Sequence, residues 1–474
     1  MKLFSNKKIR TRFAPSPTGF LHIGVARTSL FNYLFAKKNG GALVLRIEDT
    51  DKERSRTEFE KDITDSLEWL GIKWDEFYKQ SKRTDIYKKY LEKLLKEKKA
   101  YFCFCVSEEL EAQKQEQESR GLALKYSGKC KNLSEEAIQE NIRQNKKCVI
   151  RLKVPEKKVI VNDMVRGKLE FDTGLIGDII IAKDFETPLY NFSVVIDDYE
   201  MKITHVFRGE DILPNTPKQI VIQEALGIKS PEYGHLPMIL APDKSKLSKR
   251  HGAASVTEYK NQGYLPEAIL NIIAFLGWNP GTEKEIYSLK ELIKDFSIER
   301  IQKSGAVFNI QKLDYFNGFY IRQKSLKELA ELCRPFLPKA DLKEIEKITF
   351  LYQERLKKFS EITELTDFFF KEKINYPKEL LVWKKMGDSD VVNSIDKNIE
   401  ILSMIDDRNW TAKSIEIALL KATEKIGDKG VLLWPMRVAL TGKKQSAGPF
   451  DIAFVLGKEK TINRLREARA MYGS

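Results

Sequence analysis

The stretch from Ile9 to Ile47 limits the possible folds of this chain more than any other. Ile9 to Ala14 alternates apolar and polar residues and reads as a strand. Pro15-Ser16-Pro17-Thr18-Gly19 breaks it. From Leu21 to Lys38 the apolar residues fall at helical spacing, with Leu30, Phe31, Leu34 and Phe35 on one face, and Gly40-Gly41 ends the run. Ala42 to Ile47 is a second strand, apolar enough to be buried on both faces of a parallel sheet. Strand, Gly/Pro turn, helix and strand make a βαβ unit, the opening of an α/β fold.

Helical patterns follow at about 54–70 and 86–99. From Tyr101 to Leu189 the texture changes: cysteines cluster, turn residues are frequent, and strands are predicted at Val149–Val154 and Ile179–Ala182. This reads as a module inserted into the α/β domain. The α/β texture returns with a strand at Ile203–Phe207, an amphipathic helix at Pro217–Leu226 and a strand at Leu236–Ala241. Beyond about residue 325 the pattern is almost wholly helical. The expected organisation is a first catalytic half over 1–100, an insert over 101–189, a second catalytic half over 190–241, a connecting module over 242–325 and a helical region over 326–474.

A net charge of +14 and a pI near 9.2 suit a polyanionic partner, although solvated lysine-rich faces give the same balance. The start, Met1 to Lys8, has no apolar stretch suited to export, and no run approaches the ~20 apolar residues of a membrane span. The five cysteines are odd in number and unaccompanied by an export signal, so reduced thiols in the cytoplasm are expected.

Two short motifs carry phosphate chemistry. Leu21-His22-Ile23-Gly24 opens the first helix, where unpaired N–H groups and the dipole favour an anion. Gly24 allows close backbone approach, and His22 can donate to a phosphoryl oxygen. Lys246-Leu247-Ser248-Lys249-Arg250 offers two flexible cations three residues apart. Each motif alone fits a capping turn or a solvated basic loop. There is no G-x-x-x-x-G-K-[ST] loop. At the end of the second strand, Arg46-Ile47-Glu48-Asp49-Thr50-Asp51 places a carboxylate, Glu48, where open α/β sheets bind ligands. Thr50 or Asp51 is expected to cap the helix that follows.

The run Arg12 to Gly24 and the motif Lys246 to Arg250, followed by His251-Gly252, resemble the two signatures of glutamyl-type class I aminoacyl-tRNA synthetases. Val25 stands where the fuller first motif has a second histidine. The resemblance implies a Rossmann-type catalytic domain with an inserted α+β acceptor-binding module and an all-α anticodon-binding region. It implies activation of L-glutamate with ATP and Mg²⁺, then transfer to tRNA(Glu), by a monomer with no membrane attachment. It assigns His22, Lys246 and Lys249 to catalysis, and Gly24, Asp211 and Ile239 with them to ATP. Arg12 and Tyr190 fall to the glutamate side-chain carboxylate, Arg208 to the α-carboxylate, and Glu48, Ala14 and Ser16 to the amino group. Val194 belongs to the same pocket, where some relatives have Asn. Ile212 stands where many bacterial relatives have His. Arg355 falls near the position of an arginine that reads the last anticodon base in enzymes restricted to tRNA(Glu).

Cys103-Phe104-Cys105 with Cys130 has the spacing of a zinc site. The fourth ligand is open: Asn132 holds the usual His position of zinc-bearing relatives, Tyr126 serves in a shortened paralogue, and Cys148 is the remaining thiol. Reduced thiols without Zn²⁺ fit the same residues. Other readings also stay open at this level: charging of tRNA(Gln) as well, a glutaminyl enzyme, a nucleotidyltransferase that ignores tRNA, and a non-catalytic tRNA-binding relative.

Overall fold

The computed structural model describes residues 8–247, 254–424 and 427–473. It divides into two compact units, Met1–Lys260 with Pro266–Leu313, and Asn261–Leu265 with Asp314–Ser474.

The first unit opens with β1 (Arg10–Phe13), α1 (Ile23–Lys38), β2 (Ala42–Ile47), α2 (Thr57–Trp69), β3 (Glu76–Lys79) and α3 (Thr84–Lys96). β1, β2 and β3 form a parallel sheet in that spatial order, with Arg12 opposite Val44 and Arg46 opposite Tyr78. β2 is buried throughout, as its unbroken apolar run predicts. The tight return into β2 depends on Gly41. A Cβ there would lie 2.3 Å from the Ile9 carbonyl oxygen, which accepts from Ala42 N at 2.9 Å. The expected capping of α2 by Thr50 or Asp51 is not what forms. Asp51 accepts from Arg54 N at 3.2 Å and closes a turn of its own, and the helix starts only at Thr57, behind Arg56.

The chain continues through β4 (Ala100–Cys103), α4 (Ser107–Ser119), α5 (Glu135–Arg143), β5 (Val149–Leu152), β6 (Lys158–Asp163), β7 (Gly167–Asp172) and β8 (Ile179–Ala182). β4, β5 and β8 pair antiparallel, and β6 and β7 form a hairpin. Parallel order resumes after α6 (Tyr190–Glu200), with β9 (His205–Gly209), α7 (Thr216–Leu226) and β10 (Glu232–Leu236). Thr204 N donates to Arg10 O at 2.9 Å, so the approach to β9 runs along the side of β1 away from β2. Strand order therefore reverses at β1, and ligands in such sheets bind beyond the carboxyl ends at that point.

The strand expected over Leu236–Ala241 is split. β10 stops at Leu236, Pro237 supplies no N–H, and β11 (Ile239–Leu240) turns away to pair with a later strand. The unit is completed by α8 (Val256–Asn261), α9 (Pro266–Phe275), α10 (Leu289–Asp295) and β12 (Ala306–Val307), the partner of β11.

α11 (Ile310–Arg322) leads into the second unit. There follow α12 (Leu326–Cys333), α13 (Leu342–Phe350), α14 (Glu361–Thr366), α15 (Asp388–Ser403), α16 (Ala412–Thr423), α17 (Gly430–Thr441), α18 (Pro449–Leu456) and α19 (Lys458–Ala470). Its core includes Tyr352, Ile395, Met436, Ile452 and Leu465. Arg464 is buried within it, without an ion-pair partner among the described residues, and donates to the carbonyls of Leu440, Phe368 and Lys371.

Candidate active site

A cavity of about 740 Å³ opens at the carboxyl ends of β1, β2 and β9, where the strand order reverses. Arg12, Ala14, Ser16, His22, Gly24, Glu48, Tyr190, Arg208, Asp211, Ile239 and Lys246 all line it. Residues separated by more than two hundred positions in sequence thus share one wall. Among the glutamate residues expected from the sequence, Val194 does not reach that wall; it is buried in α6 at 1% exposure. Lys249 lies outside the described residues.

At one end the site is built from a closed lattice of charge. Arg46 is wholly buried and donates through Nη1 to Asp198 Oδ1 at 2.8 Å and through Nη2 to Glu48 Oε1 at 3.0 Å. Arg12 Nε donates to the same Asp198 at 3.3 Å. Neighbouring Asp197 accepts from Gln80, Arg83 and Tyr87 at 2.7–2.8 Å, tying α6 to the start of α3. Burial pushes the Glu48 carboxyl up to about 7, against the pull of Arg46 and Arg12. Asp198 is held below the usual carboxylate range, because Arg12 and Arg46 together outweigh its burial.

Arg208 is different. It is 5% exposed, yet among the described residues no carboxylate lies within ion-pair distance of it. Its donors go to neutral partners: Gln219 and Thr216 at 2.8 Å each, and His235 at 3.0 Å. A buried guanidinium without a counter-charge is costly, and a ligand carboxylate would relieve that cost.

The other end suits phosphate. His22 caps α1: its Nδ1 accepts from Gly24 N at 3.2 Å. The proton of the neutral ring then sits on Nε2, where it can be donated. The cavity walls, and secondly Lys246, hold its pKa below the ordinary value. A Cβ on Gly24 would press on that ring at 3.1 Å. Lys246 Nζ stands 3.8 Å from Asp211 Oδ2, on a short hairpin closed by Leu247 N to Ile239 O. Ser255 bridges to His22, and Val256 N donates to Leu21 O at 2.8 Å, so the chain beyond the lysine motif returns to the histidine turn.

Sequence reasoning missed Arg46 and Asp198, whose acid–base pairing shows only once β2 and α6 are adjacent. It also missed Arg27, a buried cavity residue that donates to the carbonyls of Leu276 and Pro237. Its place in α1, one turn past His22, was the available signal.

Elsewhere in this unit the Sγ atoms of Cys103, Cys105 and Cys130 lie within 4.8 Å of one another. Tyr126 Oη stands 3.4 Å from Cys103 Sγ and 3.3 Å from Cys105 Sγ, and accepts from Cys130 N at 3.0 Å. Cys148 is outside that group, and Asn132 is exposed. In the second unit Arg355 is exposed and donates to Ser446 O at 2.8 Å, a carbonyl it shares with Arg437.

Residues 8–315 match the family of class I tRNA synthetases (E and Q), catalytic domain, and residues 328–469 match the anticodon binding domain family. The chain is 47% identical to glutamate–tRNA ligase 1 of Caldanaerobacter subterraneus subsp. tengcongensis, covering 97% of each protein. It is 44% identical to glutamate–tRNA ligase of Aquifex aeolicus, over 97% of this chain and 98% of that protein. A crystal structure of a glutamate tRNA ligase from Elizabethkingia meningosepticum, in complex with its amino acid, superposes with a TM-score of 0.88 at 35% identity. That match covers 98% of this chain and 99% of the other. The chain belongs to the class I tRNA synthetases of the glutamate and glutamine branch. Its activity is that branch's glutamate–tRNA ligase activity.

The upward shift of Glu48 has a measurable consequence. Between pH 4.5 and about 7 the carboxyl is ionised in the unfolded chain but protonated in the folded one, so folding loses stability as pH rises through that window. Glu48→Gln cannot titrate. Its stability relative to the wild type should rise by up to about 3 kcal/mol between about pH 5 and about pH 7.5. Urea denaturation at the two pH values measures this, and a pH-independent difference contradicts the shift.

Proposed function

We propose that the cavity takes L-glutamate and ATP together and that its lining residues carry the roles their chemistry suits. The observation that carries this reading is Arg208, a buried guanidinium with only neutral partners among the described residues, facing the same cavity as Arg12 and Glu48. Arg208 holds the α-carboxylate, Arg12 and Tyr190 hold the side-chain carboxylate, and Glu48, with Ala14 and Ser16 beside it, holds the ammonium. Arginine meets a carboxylate with two parallel donors, and Arg12 keeps its terminal nitrogens for this while Nε rests on Asp198.

ATP lies toward His22, Gly24, Asp211, Ile239 and Lys246. A glutamate α-carboxylate oxygen attacks the α-phosphorus, and the bond to pyrophosphate breaks. The terminal ribose 2′-OH of tRNA then attacks the glutamyl carbonyl, and AMP leaves. Donors aimed at developing charge do most of the work in such steps. His22 Nε2–H and the Lys246 ammonium are those donors, and Lys249 joins them on the evidence of its motif. Asp211 is the carboxylate at the phosphate end that would help hold Mg²⁺, and the ion would supply screening of the phosphate charge. His22→Ala and Lys249→Ala should each lower adenylate formation at least about tenfold in pyrophosphate exchange, roughly one charge-assisted hydrogen bond. Near-normal rates in both overturn the assignment. Arg12→Ala should raise the glutamate KM with little change in the ATP KM.

The thiol cluster holds Zn²⁺ through Cys103, Cys105 and Cys130, with Tyr126 in the fourth place rather than Cys148 or Asn132. Ligand bonds of ~2.3 Å to sulfur and ~2.0 Å to oxygen imply sulfur–oxygen separations of about 3.5 Å in a tetrahedral site, close to the 3.3 and 3.4 Å found. The role is structural, bracing the insert. Purified protein should contain about one zinc by elemental analysis, lost in Cys130→Ser; metal-free protein with an unchanged melting temperature excludes the site.

Arg355 reads the anticodon and restricts the enzyme to tRNA(Glu). Its support is an exposed guanidinium, with donors beyond the one on Ser446, in the region that matches the anticodon-binding family. With labelled glutamate the wild type should charge tRNA(Glu) and leave tRNA(Gln) uncharged, and Arg355→Gln should charge both. Equal charging by the wild type refutes the restriction. A cytoplasmic monomer is what the resemblance implies, and free thiols at all five cysteines suit a reducing compartment.

A further inference from the structure

His235 and Asp163 lie outside every assigned role, yet they complete the surroundings of Arg208. β9 and β10 pair in a register that sets Arg208 directly opposite His235. On neighbouring parallel strands such partners project to the same side of the sheet. His235 is fully buried, and its Nε2 accepts from Arg208 Nε at 3.0 Å. Its Nδ1 stands 2.6 Å from Asp163 Oδ2. Asp163 is 4% exposed and fixed in its own right: Oδ1 accepts from Val165 N at 3.0 Å and Arg166 N at 2.8 Å in the β6–β7 turn, and from His235 N at 3.1 Å.

The hydrogens of this chain are dictated by chemistry. Arginine Nε–H can only donate, so His235 Nε2 must present its lone pair. The imidazole proton then resides on Nδ1 and is donated to Asp163. A second proton on the ring would turn Nε2 into a donor facing a donor, beside a guanidinium charge. Burial, acting before the opposing pull of Asp163, also keeps the ring's pKa below the ordinary value. With Nε on His235, one donor on Gln219 and one on Thr216, three of the five guanidinium N–H groups are committed. Two remain for the cavity, and their direction is set by the three that are tied.

We infer that Asp163 and His235 are positioning residues for the glutamate pocket: Asp163 fixes the His235 tautomer, and His235 fixes the plane of Arg208 so that its two free N–H groups face the α-carboxylate. This rests on the reading of Arg208 as the α-carboxylate ligand. A carboxylate that orients a histidine, which in turn orients the group meeting the substrate, is a general device for preorganising a site. Here the last group is a guanidinium.

The test uses the full-length enzyme in pyrophosphate exchange, with the glutamate KM, ATP KM and kcat measured separately and folding followed by thermal melting. His235→Asn keeps a polar group near the Nδ1 position but has no acceptor for Arg208 Nε. His235→Gln places an amide oxygen near the Nε2 position. The glutamate KM is expected to rise about tenfold in His235→Asn, the loss of roughly one charge-assisted hydrogen bond. His235→Gln should restore it to within about threefold, and the ATP KM should stay near the wild-type value in both. Asp163→Asn is the second variant. Its Oδ1 keeps the turn N–H groups and so leaves the amide nitrogen facing Nδ1, which forces the wrong tautomer; the glutamate KM should rise again. If His235→Asn does not fold, Asp163→Asn decides by the same reading. Equal changes in glutamate and ATP KM, or no difference between His235→Asn and His235→Gln, overturn the inference in favour of simple packing. Arg208→Lys separates the two levels. If it leaves the glutamate KM unchanged, the carboxylate reading of Arg208 fails. If it raises that KM while Asp163→Asn and His235→Asn do not, only the positioning claim fails.

Discussion

Arg46 is the residue around which one end of the cavity, the end proposed for glutamate, is assembled. It is wholly buried, and it reaches Glu48 just past the end of its own strand and Asp198 on α6. Asp198 in turn takes Arg12 from β1. Three elements distant in sequence are thereby held at one corner of the sheet. Charges this deep are tolerated only when paired and hydrogen-bonded, so removing one member strands the others. The pairing gives geometric definition more than net stability. The lattice is closed on its protein side, whereas Arg208 is not. The cavity thus presents two guanidiniums and one carboxylate, the complement of the proposed substrate's two carboxylates and one ammonium.

Much of this was legible in the sequence, for identifiable reasons. The βαβ opening stands out because its punctuation is strong: a Pro/Gly turn before α1, and Gly40-Gly41 before β2. β2 and β8 were bounded correctly because short apolar runs between turn residues have few other solutions. The boundaries that moved did so where a local hydrogen bond outcompeted a propensity. Asp51 closes a turn with Arg54 instead of capping α2, and Pro237 cuts one expected strand into β10 and β11. The β6–β7 hairpin was missed because Val159-Ile160-Val161 reads as an unbroken apolar run although only Val159 and Val161 are buried, and because the turn at Met164-Val165-Arg166 contains no Gly or Pro.

The candidate site was legible in its outward-facing residues and not in their supports. His22, Glu48, Arg208 and Lys246 stand in motifs that spacing and resemblance pick out, and all four line one cavity. Asp163 and His235 belong to no motif, and Arg46, beside Glu48 in its run, had no role that spacing could assign, nor had Asp198. Their meaning comes from register, from the parallel pairing that sets His235 beside Arg208 and from the packing of α6 behind β1. His22, His205 and His235 all have their pKa pushed down, with burial the first cause, to about 4 for His205. At His22 and His235 a backbone or arginine N–H donor fixes which ring nitrogen presents its lone pair, and the cations of the cavity are arginines and a lysine. That division suits a substrate pair rich in carboxylate and phosphate, since a neutral imidazole can either donate or accept where a guanidinium can only donate.

On the proposed reading, the lattice and Arg208 together define a pocket for L-glutamate. The most direct measurement is a crystal structure of the enzyme grown with L-glutamate. The α-carboxylate is expected on the two free N–H groups of Arg208, the ammonium at Glu48, and the side-chain carboxylate at the terminal nitrogens of Arg12. Glutamate bound with Arg208 facing no carboxylate, or with Glu48 away from the ammonium, would contradict it.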